Sequence, residues 1–386
     1  MAQFDVRPVT SPDYRRLAQK RLPRFLFEYV DGAANEETTR VANQADLRRL
    51  ELRQQVMRDV SRIDTSTELL GRQCAIPLAT APVGLAGMMA RRAEVQGIRA
   101  TERAGIPFTL STMGIASLEE IAAASPNPCW FQLYMLKDRG LVQSLLQRAQ
   151  SHGVSTLVFT VDLAVTGMRH RDVRNGMVGK GFRPWRARMA ALLTRPHWVW
   201  NVGLRGKPHD FGNLRGIIDD ATDLDAYKKF ISAQFDRSVT WADIAWLRTV
   251  WDGKIVIKGV LTGNDAVAAA DAGADGVVVS NHGGRQLDGV ASTISKLPEV
   301  VAAVGDRIEV LMDGGVRNGL DVVRAVALGA RGVLIGRPWI WAVAARGEQG
   351  LVDLLTVFQR EIEVAMALMG VNRINELTPD MIQLPG

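Results

Sequence analysis

Eight short runs rich in Val, Ile and Leu recur between residues 77 and 335, each spaced from the next by a glycine-marked turn and a stretch of helical periodicity. They are Pro77 to Ala81, Pro107 to Leu110, Trp130 to Leu133, Thr156 to Val161, Lys254 to Ile257, Gly276 to Val279, Ile308 to Met312 and Gly332 to Ile335. Their apolar character is nearly continuous, which marks strands buried on both faces of a parallel sheet. Helical patterns follow at Glu94 to Ala104, Leu118 to Ala124, Leu141 to Ser151, Trp241 to Val250, Asp265 to Ala272 and Leu320 to Ala327, with a long final one near Leu351 to Met369. Eight strand–helix units in about 280 residues predict an α/β fold of the (β/α)8 TIM-barrel type. A doubly wound open sheet is the alternative, but no GxGxxG opens a helix after a strand, so the usual Rossmann nucleotide signature is missing.

Residues 1–70 read as an N-terminal helical cap on this barrel. One helix is predicted from Ser11, as N-cap with Pro12 in the first turn, to about Tyr29, and a second over roughly Thr38 to Leu47, before the chain turns β-like near Leu50 to Val56. With 47% apolar and 23% charged residues the chain supports one large core, and residues 1–386 are expected to form a single domain. No run of about 18 apolar residues predicts a membrane-spanning helix, and Met1 to Thr10 lack the regions of a secretory signal, so a cytoplasmic protein is expected. Cys74 and Cys129 are read as inert core thiols, with neither a disulfide framework nor a metal site.

One connection breaks the rhythm. Between the fourth strand and the helix near Thr240 lie roughly 75 residues, where a strand-to-helix loop usually has about 2 to 6. Within this insertion, about 165–239, Val173 to His209 contain no acid but hold Arg174, Lys180, Arg183, Arg186, Arg188, Arg195, Arg205 and Lys207. These cations outnumber the chain's net charge of +6, so one segment makes the protein basic. Trp185, Met189, Leu192, Leu193, Trp198, Val199 and Trp200 are interleaved among them. Cations facing anionic lipid with tryptophans in the interface make a peripheral membrane surface the preferred reading; a lid without membrane contact is the alternative, and no nucleic-acid partner is expected.

Barrel enzymes place their chemistry at the carboxyl ends of the strands. There the sequence collects Ala81 to Gly84, Ser111, Gln132, Tyr134, Thr160, Asp162, Lys258, Ser280, His282 and Arg285, then Asp313-Gly314-Gly315-Val316-Arg317 and Gly336-Arg337. The glycines after the last two strands let backbone N–H groups approach an anion that Arg317 and Arg337 can neutralise, as in barrel phosphate sites. His282 and Arg285 share one glycine-loosened turn, pairing a near-neutral base with a carboxylate-binding fork.

These residues carry a resemblance. Ser-Asn-His-Gly-Gly-Arg-Gln-Leu-Asp at 280 to 288, Trp-Phe-Gln-Leu-Tyr at 130 to 134, Phe-Thr-Val-Asp at 159 to 162, Ile-Lys-Gly at 257 to 259 and Asp-Gly-Gly-Val-Arg at 313 to 317 resemble the FMN-dependent 2-hydroxy acid dehydrogenases and oxidases. The chain is most similar to the bacterial respiratory L-lactate dehydrogenases through Arg24 to Ala34, Ala81 to Met88 and Gly-Lys-Pro-His-Asp-Phe-Gly-Asn at 206 to 213.

The resemblance implies FMN as cofactor, its phosphate on Gly314, Gly315, Arg317, Gly336 and Arg337 with Asp313 near the ribityl hydroxyls. It places Ala81, Val83, Gly84, Ser111, Gln132, Thr160 and Ser280 around the flavin, and Lys258 at its N1 edge. A small 2-hydroxy acid would pair its carboxylate with Arg285 and Arg169, helped by Tyr29, and its hydroxyl oxygen with Tyr134. His282 would be the base, oriented by Asp162. Two routes stay open, removal of the hydroxyl proton with hydride transfer, or removal of the Cα proton to give a carbanion. The implied activity is oxidation of L-lactate to pyruvate with electrons passed to a quinone or other respiratory acceptor, with another 2-hydroxy acid such as mandelate or glycolate, or an oxygen-using oxidase, as the alternative. Gly84, where the oxidases usually have alanine, favours a dehydrogenase; the competing explanation is a glycine needed for backbone conformation. The resemblance also implies a homotetramer on the cytoplasmic face of the inner membrane.

Overall fold

The computed structural model describes residues 8–178, 181–215 and 233–383; Lys180 and residues 216–232 of the insertion lie outside them. Eight parallel strands, β1 (Leu78–Thr80), β2 (Thr109–Ser111), β3 (Trp130–Leu133), β4 (Thr156–Thr160), β5 (Lys254–Val260), β6 (Gly276–Val279), β7 (Glu309–Asp313) and β8 (Gly332–Ile335), form one sheet in the order β1-β8-β7-β6-β5-β4-β3-β2. At the seam the Thr80 N–H donates to Pro107 O over 3.1 Å and the Thr109 N–H to Thr80 Oγ1 over 3.0 Å, which brings β1 against β2. The result is a nearly closed (β/α)8 barrel, and all eight runs read from the sequence are its strands.

The barrel's amino end is plugged. Ala79, Trp130, Val158, Val256, Val278, Leu311 and Leu334 point inward and pack with Leu69, Leu70 and Cys74 of a hairpin, Thr67–Leu69 with Arg72–Cys74, that the sequence reading does not resolve. Gly332 and Gly276 make room for it, since a Cβ at Gly332 would sit 2.8 Å from Leu69 Cδ2 and one at Gly276 3.3 Å from Leu70 Cδ2. Only the carboxyl end is left to hold a site.

The cap departs from expectation in two places. The single helix expected from Ser11 to Tyr29 is two, α1 (Ser11–Arg21) and α2 (Arg24–Asp31), because Pro23 forces Leu22 out of the helical region to ψ 145°. The N-cap of α1 is Thr10 rather than Ser11, with a reciprocal capping box to Asp13, while Ser11 Oγ instead donates to Arg317 O at 2.5 Å. A third helix, α3 (Thr38–Arg49), follows. The final helix starts well before Leu351, running over Arg337–Leu368 with a kink at Arg346 and Gly347, where Gly347 has φ +67°.

The insertion is neither uniformly free nor uniformly packed. Its helix Phe182–Leu193 has no buried residue, and Phe182, Trp185, Met189 and Leu193 are exposed, as is Trp200. Trp198 corrects the sequence reading: it is buried, its Nε1–H donates to Met88 O over 2.9 Å, and it therefore anchors the segment to the loop after β1. Further on, the Gly212 N–H donates to Gly114 O, and the fully buried Asn213 accepts from the Leu118 N–H at 2.9 Å and donates to Ser111 O at 3.2 Å. Among the described residues no helix is long and apolar enough to cross a membrane.

Candidate active site

A cavity of about 600 Å³ opens at the carboxyl ends of the strands. Of the residues singled out above, it is lined by Tyr29, Ala81, Val83, Gly84, Ser111, Tyr134, Thr160, Arg169, Lys258, His282, Arg285, Asp313, Gly314, Gly315, Arg317, Gly336 and Arg337. Asp162, Gln132 and Ser280 are not in its lining and act on residues that are. Asp162 Oδ1 lies 2.8 Å from His282 Nδ1, Gln132 Oε1 accepts from Ser111 Oγ at 2.8 Å, and Ser280 Oγ accepts from Lys258 Nζ at 3.0 Å.

The turn after β6 owes its shape to His282, Gly283 and Gly284, with φ of +56°, +64° and +76° in succession. A histidine in this left-handed region is strained by roughly 1 kcal/mol and must be held by its surroundings. The His282 N–H donates to Ser280 Oγ, the Gly284 N–H to Asn281 Oδ1, and the amides of Asn281 and Asn43 on α3 exchange two hydrogen bonds of 2.8 Å. Asp288 fixes the far end of the turn, accepting from the N–H groups of Glu36, Thr38 and Thr39 and from Thr38 Oγ1. It thus caps α3 from 250 residues away in sequence. The cap is part of the site's scaffold.

Burial pushes the His282 imidazole down, and nearby Lys258 adds to this, while Asp162 opposes both; the net direction is downward, so the ring is neutral at pH 7. Burial alone would raise the Asp162 carboxyl, but His282 and Lys258 outweigh it and hold it below the usual carboxylate range. An ionised Asp162 can only accept, so the proton sits on Nδ1 and Nε2 keeps its lone pair. Lys258, 3% exposed, is 3.0 Å from Asp313 Oδ2; burial would lower its ammonium, but Asp313 and Asp162 raise it above the ordinary value, leaving a fixed buried cation. Gly259 lets these partners meet. It sits at an irregularity of β5 with φ +115°, and a Cβ there would lie 2.7 Å from Asp162 Cβ.

Three partly buried guanidiniums dominate the field. Arg285 donates to Tyr29 O and Gly32 O and lies over the Tyr29 ring; Arg337 donates to the carbonyls of Val30, Gly32 and Gly283; Arg317 donates to Val316 O and lies over the Trp341 ring. Among the described residues none of the three is within ion-pair distance of a carboxylate. Burial, and for Arg285 also the neighbouring Arg169, lowers Arg285 to about 10; burial lowers Arg317 to about 10, and burial with Arg285 and Arg317 takes Arg337 well below its ordinary value. Such an array is stabilised by anions.

Gln286, which sequence reasoning quoted only within a motif, staples the loop after β4: its Nε2 donates to Asp162 O and Val165 O, both at 2.9 Å, and its Oε1 accepts from Arg169. Arg171 ties the same loop to the cap through Glu28, Asp31 and Glu37. Gly84 has no left-handed φ, and a Cβ on it would meet Met113 Cβ at 3.1 Å, so backbone conformation does not require the glycine.

A β/α barrel whose open face joins an anion cradle after β7 and β8 to a buried lysine and a neutral histidine–aspartate pair is an enzyme for an anionic substrate and a phosphate-bearing cofactor. The chain belongs to the FMN-dependent dehydrogenase family, which it matches over residues 18–384. It is 52% identical over 373 residues to an L-lactate dehydrogenase of Caulobacter vibrioides, covering 97% of each chain. It is 50% identical over 372 residues to an L-lactate dehydrogenase of Pectobacterium atrosepticum, covering 96% of each. Among solved structures, it resembles a monotopic membrane (S)-mandelate dehydrogenase with a TM-score of 0.92 at 35% identity, covering 98% of this chain and 100% of that one. A mandelate oxidase superposes with a TM-score of 0.82 at 36% identity, covering 98% of each chain.

FMN is the cofactor of this family, and the residues present fit it. Among the described residues Gln132 Nε2, Thr160 Oγ1 and Asp313 Oδ1 are buried polar atoms without a partner, the kind of donor and acceptor set that a flavin's polar edge and ribityl chain satisfy. Gly314 and Gly315, with φ of +95° and +88°, open the backbone toward the arginine cluster. The glycine at 315 is also required by the cap, since a Cβ there would lie 2.2 Å from Asn43 O.

Proposed function

We propose that this FMN-dependent enzyme oxidises L-lactate to pyruvate and delivers the electrons to a quinone or another respiratory acceptor. The observation that carries the reading is the neutral, Asp162-oriented His282 on the same turn as the partly buried Arg285, a base and a carboxylate fork three residues apart, in a chain half identical to L-lactate dehydrogenases along almost its whole length.

Arg285 and Arg169 pair with the substrate carboxylate, which fixes the hydroxyl-bearing carbon against one face of the cofactor site. Tyr134 meets the hydroxyl oxygen and Tyr29 the carboxylate. His282 Nε2 takes the proton and Asp162 stabilises the imidazolium that forms. FMN supplies the two-electron acceptor for the change from hydroxy to keto acid. Lys258 would set a fixed positive charge against the cofactor's polar edge, which Ser111, Gln132, Thr160 and Ser280 would help to hold. Arg317 and Arg337, with Gly314, Gly315 and Gly336, take the phosphate; Ala81, Val83 and Gly84 form the wall after β1.

The exposed Phe182, Trp185, Met189, Leu193 and Trp200, set among cations, support peripheral attachment to an anionic membrane, on the cytoplasmic face of the inner membrane, by a homotetramer that presents several such faces at once. Oxidation of a bulkier acid is the second reading, favoured by the likeness to mandelate enzymes. Anaerobic addition of L-lactate to the yellow holoenzyme should bleach the flavin band, an added quinone should restore it rapidly, and air should restore it only slowly. A flavin that no 2-hydroxy acid bleaches would refute the activity, and rapid reoxidation with peroxide would refute the dehydrogenase assignment.

A further inference from the structure

Beside the active-site cavity lies a second one of about 350 Å³, between the ends of β3, β4 and β5 and the helix Ala242–Val250. Its wall is mixed, with Phe159, Val161, Trp241, Ile244 and Val260 beside Asp236, Thr240 and Asp265. The two cavities share Tyr134, Thr160, Leu163, Ala164, Phe235 and Arg237, so these residues separate them. Phe235 is the largest apolar side chain in that partition and is 5% exposed; its ring packs on Tyr134 with centroids 5.0 Å apart.

Phe235 is held by backbone and not by loose packing. It pairs with Leu136 in an antiparallel bridge, the Lys137 N–H donates to Gln234 O at 2.8 Å, and the Asp236 N–H donates to Met135 O at 3.1 Å. Arg139 then clamps Asp236 and Asp243, each at 2.7 Å. The end of the insertion is thereby fastened to the segment that leaves β3 carrying Tyr134.

We propose that Phe235 is a specificity-determining residue: its ring closes the second cavity to the substrate and so favours short 2-hydroxy acids over those with long side chains. The inference rests on the 2-hydroxy acid reading above. Replacing the ring with a smaller side chain joins the two spaces and lets an alkyl chain lie against Phe159, Val161, Trp241, Ile244 and Val260, where each buried methylene is worth about fourfold in affinity.

The test is stopped-flow bleaching of the full-length FMN holoenzyme, without oxygen, by L-lactate and by L-2-hydroxyoctanoate, for wild type, Phe235→Ala, Phe235→Leu and Phe235→Trp. The 2-hydroxyoctanoate-to-lactate ratio of kcat/KM should rise about tenfold or more in Phe235→Ala, rise less in Phe235→Leu, and fall in Phe235→Trp. If Phe235→Ala loses its flavin, the Leu and Trp variants carry the same comparison with opposite expected signs. A ratio that stays within threefold of wild type while both acids slow together would overturn the proposal, because that is what simple support of Tyr134 predicts. Bleaching of the wild type by lactate keeps the parent reading intact in that case; a wild-type flavin that neither acid bleaches would sink the parent reading and the partition with it.

Discussion

Gly259→Ala tests whether Asp162 works through contact with His282. In the wild type the Asp162–His282 distance is 2.8 Å, and an added Cβ at residue 259 would lie 2.7 Å from Asp162 Cβ, 2.8 Å from its Cγ and 3.0 Å from its backbone N. Ordinary van der Waals contact begins near 3.4 Å, so Asp162 must retreat by about 0.7 Å, which lengthens its bond to His282 to about 3.5 Å and effectively breaks it. A misplacement of that size costs on the order of 10²-fold in rate. The left-handed φ of +115° adds a stability loss of about 1 kcal/mol or more. Asp162 raises the His282 pKa against burial, so weakening the pair lowers it further, and the acidic limb of the pH profile should move to lower pH. Single-turnover flavin reduction by L-lactate across pH, with thermal melting as a folding control, measures all three. A folded, FMN-bound variant reducing within threefold of wild type on an unchanged pH profile would refute the reasoning.

Asp288→Ala should cost about 1–2 kcal/mol in denaturant unfolding at pH 7, the loss of a charged helix cap. The carboxyl is held at about 2 because hydrogen bonds from Thr39 and Thr38 overcome the burial that would raise it, so its stabilisation is complete above 3.8 and disappears as pH falls through about 2; a wild-type-to-variant difference that does not shrink below pH 4 would contradict this. Replacing Trp185 and Trp200 should weaken sedimentation with anionic liposomes at unchanged melting temperature, whereas Trp198→Ala should lower the melting temperature by removing a buried anchor; equal behaviour of the three would count against the division. Gly84→Ala should fold, since Met113 need give only a few tenths of an ångström, and should speed reoxidation by oxygen, measured as peroxide release; an unchanged rate removes Gly84 as a determinant of the acceptor.

The barrel was legible because strands buried on both faces leave an apolar signature that needs no tertiary context, and all eight runs appear in the sheet. The residues that line the site could be read for a related reason: they fall at strand ends, whose location follows from the strands. What holds them was far less visible. Asn43 and Asp288 meet their partners across 238 and about 250 residues, and nothing local marks an asparagine as one half of an amide pair. Gly259 looks like any glycine until Asp162 is seen against it. The break at Pro23 followed a local rule and was nonetheless overridden by the helical periodicity on either side. Trp198 and Trp200 share one composition, and only the fold separates an anchor from an exposed ring.

The stitching of the insertion sets the boundaries within which it can be edited. Its outer helix Phe182–Leu193 buries no residue and meets the core through Ala191 and Leu192 near its end, so the stretch 182–190 can be exchanged for a polar one of the same length, and the barrel should tolerate the graft. Trp198 and the Gly212–Asn213 pair are a different matter: a Cβ on Gly212 would lie 2.4 Å from the Ser117 N, and Asn213 donates to the carbonyl of Ser111 on the cavity wall. A deletion or chimaera whose junctions fall beyond Arg195 therefore removes part of the barrel's own rim, and its failure would say nothing about membranes.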